Sequence, residues 1–275
     1  MTTTAADLPP LDPDSPSFYR RVAADRFQPT LHTQGAWQPH EQHMAPVSGL
    51  IVHALDHHVR SAHPDGDHLQ LCRLSFDILG LIPATESTVT VEVIRPGRTI
   101  ELLEATFSAG GRPVVRARAW RLESHDTAAV SGGEPDRLPD PDTWPVGDYG
   151  SVWGGGYIAA CEIRRDPESV PGRARAWLRT DKTLVEDEPV TELARFVGLV
   201  DTANGIGTRV PPGEWMFPNT DLTLHLHRLP TGGWVGFDTT VTFGATGLGL
   251  TSSVLHDEHG PVGRAEQTLT VRRLP

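Results

Sequence analysis

Residues 46–59 read Pro46-Val-Ser-Gly-Leu-Ile-Val-His-Ala-Leu-Asp-His-His-Val59. Val47, Leu50, Ile51, Ala54, Leu55 and His58 fall on one face at the 3.6-residue period, so the stretch predicts an amphipathic helix. Downstream the period switches to two, with Val89, Val91 and Val93 alternating with Thr90 and Glu92. The same succession then recurs. Thr191 can cap a helix whose stripe is Leu193, Phe196, Val197 and Val200, and Gly205 can end it. Leu222, Leu224 and Leu226 then alternate with Thr223, His225 and His227, and Val235, Phe237, Thr239, Val241 and Phe243 keep the same rule. Strands that alternate apolar with polar are antiparallel and covered on one side, so each helix is expected to lie on an apolar sheet face. The fold class is α+β.

Sliding the chain by 148 residues without a gap lays Pro113-Val-Val-Arg-Ala on Pro261-Val-Gly-Arg-Ala, Val93 on Val241, Leu102 on Leu250 and Val52 on Val200. An offset that superposes helix on helix and strand on strand reads as an internal duplication. Between the copies, Ser-Gly-Gly-Glu-Pro-Asp-Arg-Leu-Pro-Asp-Pro-Asp stacks turn formers without an apolar period, a linker signature. The expected division is a flexible N-terminal arm over 1–16, a first unit over 17–125, a linker over 126–144 and a second unit over 145–275. Two antiparallel sheets, each wrapping a long central helix, would result.

Composition narrows the function. Of the 275 residues, 38% are hydrophobic and 21% charged, enough to bury a core. A net charge of −11 is a poor match for phosphate backbones, which excludes nonspecific nucleic-acid binding. No run approaches the roughly 20 apolar residues of a membrane span, and the N-terminus lacks a basic and an apolar region, so no secretory signal is expected. Cys72 and Cys161 fit no metal or redox spacing, and a reduced cytoplasmic protein follows.

Chemistry is sought where polar residues occupy positions that the pattern reserves for oil, because burying one unpaired costs about 1–3 kcal/mol. Gln267 shares a strand face with Leu269 and Val271. Asp201 follows Val197 by one turn at the edge of the buried stripe, and Asn219 stands two residues before the apolar ladder of the next strand. A carboxylate and two amides can therefore converge between helix and sheet. In the first copy the equivalent positions are His53, Leu71 and Ala119, so the second copy carries this polar set.

Together with Leu226-His227-Arg228-Leu229-Pro230 and Ala265-Glu266-Gln267, these features resemble TesB-like (type II) acyl-CoA thioesterases of the double hotdog fold, from about Phe18 to Arg273. The resemblance implies hydrolysis of fatty or other acyl-CoA thioesters by a water that an Asp, a hydroxyl residue and a Gln hold and activate, with no cofactor. The Asp maps to Asp201 and the Gln to Gln267. The hydroxyl position falls on Asn219, with Thr220 next to it, a departure from the family. Asp201 is thus the expected base and Gln267 and Asn219 the residues that orient water. Thr220, His53, Arg95 and Arg98 are candidate substrate contacts, the two arginines as a cationic corner for CoA phosphates.

Two other readings stand beside this one: a hotdog enoyl-thioester hydratase or dehydratase, and a non-catalytic acyl-thioester binding or assembly protein with a decayed site. No Gly-x-Ser-x-Gly elbow is present, against a serine hydrolase. His40, His43, His53 and His57 lack the spacing of a metal site, and no metal is expected. Gly154-Gly155-Gly156 is read as a turn before a strand starting at Tyr157, and Arg95-Pro96-Gly97-Arg98 as a hairpin turn. Long sheet edges leave a homo-oligomer open.

Overall fold

The computed structural model describes residues 10–274. Its strands are β1 (Ser17–Ala23), β2 (Arg26–Pro29), β3 (Leu69–Ile78), β4 (Ser87–Arg95), β5 (Ile100–Ala109), β6 (Arg112–Glu123), β7 (Cys161–Arg165), β8 (Arg173–Thr180), β9 (Thr183–Val185), β10 (Trp215–Met216), β11 (Asp221–Leu226), β12 (Val235–Phe243), β13 (Leu248–Asp257), β14 (Gly260–Thr270) and β15 (Arg272–Arg273). The helices are α1 (Met44–Ala62), α2 (Gly156–Ala159), α3 (Glu192–Val200) and α4 (Ala203–Ile206). No helix among the described residues is long and apolar enough to cross a membrane.

Thirteen strands form one continuous sheet in the order β7-β8-β12-β13-β14-β11-β3-β6-β5-β4-β2-β1-β9, where two separate sheets were expected. The joint lies between β3 and β11. They pair antiparallel with Ser75 opposite Thr223, residues 148 apart, so a pseudo-two-fold axis passes through the seam. The registers on either side repeat at the same offset. Phe76 faces Ala117 in the first half, and Leu224 faces Ala265 in the second. Phe107 faces Val115, and Leu255 faces Gly263; a register shift follows in both, where Ser108 meets Pro113 and His256 meets Pro261. Val89 opposite Phe107 recurs as Phe237 opposite Leu255. A slip of one residue would turn every side chain to the other face, so matched registers and a matched bulge mean matched pocket positions.

The helices meet inside the curved sheet. Every residue from Met44 to His53 is buried in α1, and in α3 every residue from Leu193 to Val200 except Arg195. They can approach closely because both carry glycine at the crossing: a Cβ on Gly49 would sit 2.8 Å from the Gly198 Cα. Ser48 Oγ bridges the two by donating to Val197 O (2.9 Å).

Several expectations change. α1 begins before Pro46, with His43 as its cap. α3 stops at Val200 rather than running to Gly205: Asp201 is its C-cap, and the Asp201 carbonyl accepts from Gln267 Nε2 (3.3 Å). The strand expected from Tyr157 is the short helix α2. Its glycines are docked against the loop after β2, where a Cβ on Gly155 or Gly156 would overlap the Gly35 or Leu31 carbonyl oxygen. Residues 1–9 of the expected arm lie outside the described residues. Residues 10–16 are tied down: Asp12 O accepts from Leu31 N (2.9 Å), Ser15 is buried, and Pro16 O accepts from Thr183 N (3.0 Å). The Arg95–Arg98 turn joins β4 to β5 as a hairpin.

Candidate active site

Three elements of the second half bring Asp201, Asn219 and Gln267 together. Asp201 closes α3 and is buried. Gln267 stands on the covered face of β14, and Asn219 bridges Leu269 just before β11 begins. Asn219 Nδ2 donates to Asp201 Oδ1 (2.7 Å), and Gln267 Nε2 donates to the same oxygen (2.9 Å). Asn219 Nδ2 also donates to Asp221 O (3.0 Å), which fixes its rotamer. Both amides converge on one carboxylate oxygen, leaving Oδ2 free of them.

Burial pushes the Asp201 carboxyl up to about 7, and the nearby Asp221 charge pushes the same way; the two amide donors hold it down. Gln267 Oε1 is buried without a hydrogen-bond partner. The site therefore holds a carboxyl that titrates near neutrality and a vacant acceptor beside it. That combination marks chemistry more often than structure.

The first half supplies the opposite wall. His43 Nδ1 lies 3.8 Å from Asp201 Oδ2. The same Nδ1 accepts from Ala45 N (3.1 Å), which caps α1, and burial lowers the imidazole to about 3. His43 is thus a neutral ring whose remaining polar atom is Nε2–H. It stacks on Tyr157 with ring centroids 4.1 Å apart, and Tyr157 Oη bonds Thr202 Oγ1 (2.7 Å). An open cleft of about 440 Å³ runs beside these groups, with Asp201, Asn219 and Asn204 on one side and Trp37, His43 and Met44 on the other.

The candidate substrate contacts are dispersed. Thr220 borders the cleft, but its hydroxyl turns back to Thr268 O (3.5 Å). His53 is buried away from the cleft, with Nε2 2.9 Å from Glu188 Oε2. Arg95 lies at the exposed hairpin, its guanidinium folded onto Ile100 O (2.6 Å), and Arg98 is exposed on the same turn. Neither arginine lines the cleft. Sequence reasoning missed the wall built by Trp37, His43 and Met44, because these residues precede the first helix. One signal pointed there: the offset of 148 that relates the halves lays His43 on the cap Thr191, so both are first-turn caps facing the other half.

Comparison with known proteins bears on both halves. Residues 33–122 match the family model described as an acyl-CoA thioesterase N-terminal domain, and residues 133–271 match the acyl-CoA thioesterase C-terminal domain. Among solved structures, a candidate thioesterase from Novosphingobium aromaticivorans is similar at 20% identity and TM-score 0.67, over 93% of this chain and 98% of that one. The tesB protein of Mycobacterium avium subsp. paratuberculosis is 18% identical at TM-score 0.63, covering 92% and 96%. A protein of unknown function with a hot dog fold from Alicyclobacillus acidocaldarius is 13% identical at TM-score 0.70, covering 100% of both chains. At these identities the likeness establishes the hotdog fold. No curated protein matched the sequence.

Proposed function

The chain belongs to the TesB-like acyl-CoA thioesterase family and is a thioester hydrolase, and from that premise we propose that Asp201 is its general base, with Asn219 and Gln267 as the residues that orient it and the attacking water. The observation that carries this reading is the single buried carboxylate with both amide donors on Oδ1 and its other oxygen unclaimed by them, at the edge of an open cleft. A water held at Asp201 loses a proton to the carboxylate as its oxygen bonds the thioester carbon. The carbon–sulfur bond then breaks, and the proton held by Asp201 passes to the departing thiolate. The free acid and CoA leave.

Asn219 replaces the family hydroxyl without loss of the interaction that matters here, a donor on the carboxylate. The Met44 N–H at the start of α1 supports the developing oxyanion: the Ala45 N–H is taken by His43 Nδ1, Pro46 has none, and Met44 borders the cleft. The proposal takes residues 17–125 and 145–275 as two hotdog units joined by 126–144, each half of the continuous sheet curving around its own helix. It sets the enzyme in the cytoplasm, in keeping with the two free cysteines.

A hydratase or dehydratase would use an Asp–His pair, and His43 does approach Asp201. Its Nδ1 lone pair is engaged by Ala45 N–H, however, and its low proton affinity makes it a poor acid–base partner near neutral pH. Hydrolysis is the better fit.

The test is thiol release from a panel of acyl-CoA thioesters by the wild type and by Asp201→Asn. The variant is expected to lose about 10²–10⁴-fold in kcat while keeping substrate affinity. Retention of kcat within a few-fold would remove Asp201 from the chemistry, and absence of turnover from folded wild type would favour a binding protein.

A further inference from the structure

Tyr157 has no part in the bond-making steps above, yet it touches both residues that bracket Asp201. It is fully buried in α2, and that short helix is anchored on the loop after β2. Tyr157 N donates to Gln34 O (3.1 Å), and Gly156 N donates to Gln34 Oε1 (3.2 Å). On one side the Tyr157 ring stacks on His43, with centroids 4.1 Å apart and planes inclined by 27°. His43 in turn stands 3.8 Å from Asp201 Oδ2. On the other side the Tyr157 hydroxyl meets Oγ1 of Thr202, the residue after Asp201, at 2.7 Å.

The direction of this second contact is fixed by the hydrogens available. Thr202 has one hydroxyl hydrogen and gives it to Leu199 O (2.8 Å). Tyr157 Oη–H is therefore the donor, and Thr202 Oγ1 accepts with a lone pair. Burial pushes the Tyr157 hydroxyl well above its ordinary 10, and the nearby Asp201 charge pushes the same way, so the donor keeps its hydrogen. The two bonds make a relay, Tyr157 to Thr202 to Leu199, that ties the end of α3 to α2. Asp201 is the C-cap of α3, and the last turn of a helix frays readily when nothing outside it engages its carbonyls. Thr202 is also the joint to α4, since its own carbonyl accepts from Gly205 N (2.9 Å) and Ile206 N (3.2 Å). A pull on the Thr202 hydroxyl thus acts on the backbone that carries the carboxylate.

Resting on the reading of Asp201 as the base, we propose that Tyr157 is a positioning residue for thioester hydrolysis, its hydroxyl holding Asp201 in place through Thr202. The substrate does not bind the relay, so its loss misplaces the base and costs turnover rather than affinity.

The experiment measures kcat and KM of thiol release, with circular dichroism for folding, for the wild type, Asp201→Asn, Tyr157→Phe, Thr202→Val, Thr202→Ser and the double variant Tyr157→Phe with Thr202→Val. Tyr157→Phe keeps the ring on His43 and removes only the donor. Its kcat is expected to fall about tenfold with KM within about twofold of wild type. Thr202→Val should fall at least as far, because it loses the acceptor and its own bond to Leu199 O. Thr202→Ser keeps the hydroxyl and should recover most of the rate. The double variant should be no slower than Thr202→Val, whereas independent effects would multiply to about a hundredfold or more. Multiplied losses overturn the route through Thr202. A kcat for folded Tyr157→Phe within about twofold of wild type overturns the positioning role. So does a rise in KM with kcat unchanged, which would place Tyr157 in substrate binding. Loss of turnover in Asp201→Asn with Tyr157→Phe fully active leaves Asp201 as base and removes only Tyr157. An active Asp201→Asn removes the base on which both readings rest. Should Thr202→Val not fold, Tyr157→Phe and Thr202→Ser still decide the matter, since full activity in the first or about tenfold loss in the second overturns the relay.

Discussion

Asp201 and His53 stand at matched positions on either side of the seam between Ser75 and Thr223, and their surroundings differ in kind. Around Asp201 two amides reach one oxygen of the carboxylate, and the residue borders an open cleft. Around His53 the amides are gone: the equivalent positions hold Leu71 and Ala119, both buried. Ion pairs fill the space instead. Glu188, from the second half, accepts from Arg21 Nε (2.6 Å) and Nη2 (2.9 Å) and bonds His53 Nε2 (2.9 Å). Thr191 Oγ1 donates to Asp56 Oδ2 (2.5 Å). Arg121, nearly fully buried, pairs with Asp67 and Glu101. One duplicated position keeps an incompletely satisfied carboxylate beside a cavity. The other has its charges paired, Glu188 with Arg21 and His53 across the two halves and Arg121 with Asp67 and Glu101 within the first, although His53 Nδ1 is buried without a partner. The same backbone thus yields the proposed reactive centre on one side and a clasp on the other, and the difference lies in whether the central polar side chain meets amide donors beside a cleft or charged partners away from it.

The sharpest way to break the comparison is to give the second half the residues of the first. Asn219→Leu with Gln267→Ala copies Leu71 and Ala119 and removes both donors from Asp201 Oδ1. Since those donors lower the carboxyl's proton affinity, their loss drives it further above about 7. At pH 7 less of the base is ionised and the water is no longer oriented, so kcat/KM is expected to fall about 10³-fold. The rising limb of the pH–rate profile should move to higher pH, and part of the loss should return there. A profile whose limb stays in place would mean that the amides do not govern Asp201.

A second consequence concerns stability. The folded-state value of Asp201, about 7, lies above the ordinary 3.8, so the folded protein binds this proton more tightly than the unfolded chain does. The favourable contribution is complete below about pH 4 and is lost as pH rises through about 7. Ionised and buried, Asp201 then costs about 2–3 kcal/mol, less than the full shift implies because its amide donors relax with it. Asp201→Asn keeps an oxygen for the two donors and cannot ionise. Denaturant unfolding should find it more stable than wild type by that amount at pH 8 and nearly equal at pH 4. Equal stability at both pH values would show that the fold bears no cost for its carboxylate.

Much of this was legible in the chain. The offset of 148 survives in the sequence because strand register is set by alternation, and alternation is written residue by residue. Asp201, Asn219 and Gln267 were legible for a related reason: each interrupts an apolar pattern within a single half. What two distant segments build together was not legible. Alternation in β3 and β11 says which face is covered but not that their edges meet, so the pattern alone implies two sheets where the fold has one continuous sheet. The wall of Trp37, His43 and Met44 lies more than 150 residues before Asp201, and no local period connects them. The glycines before Tyr157 suggest a free turn and a strand start from sequence alone, whereas they serve a close backbone contact with the loop after β2. Arg95 and Arg98 drew attention by charge alone, and charge at a hairpin tip carries no information about where a pocket lies.

The smallest expected effect tests the clasp. Glu188→Gln removes the charge that Arg21 and His53 share while keeping the size of the side chain. Arg21 first, then His53, hold the Glu188 carboxyl below its usual range, so its contribution is present above the unfolded value of about 4.3 and is lost as pH falls through the lower folded one. Because Glu188 is partly exposed, solvent screens the pair and the loss at pH 7 should be only about 1 kcal/mol in denaturant unfolding. That loss should shrink toward zero as the wild type is acidified, since both proteins then carry a neutral side chain at this position. Thiol release at saturating substrate should be unchanged, because Glu188 does not line the cleft that holds Asp201. A large fall in kcat without loss of stability would mean that the His53 region takes part in catalysis, and the contrast between reactive centre and clasp would have to be abandoned.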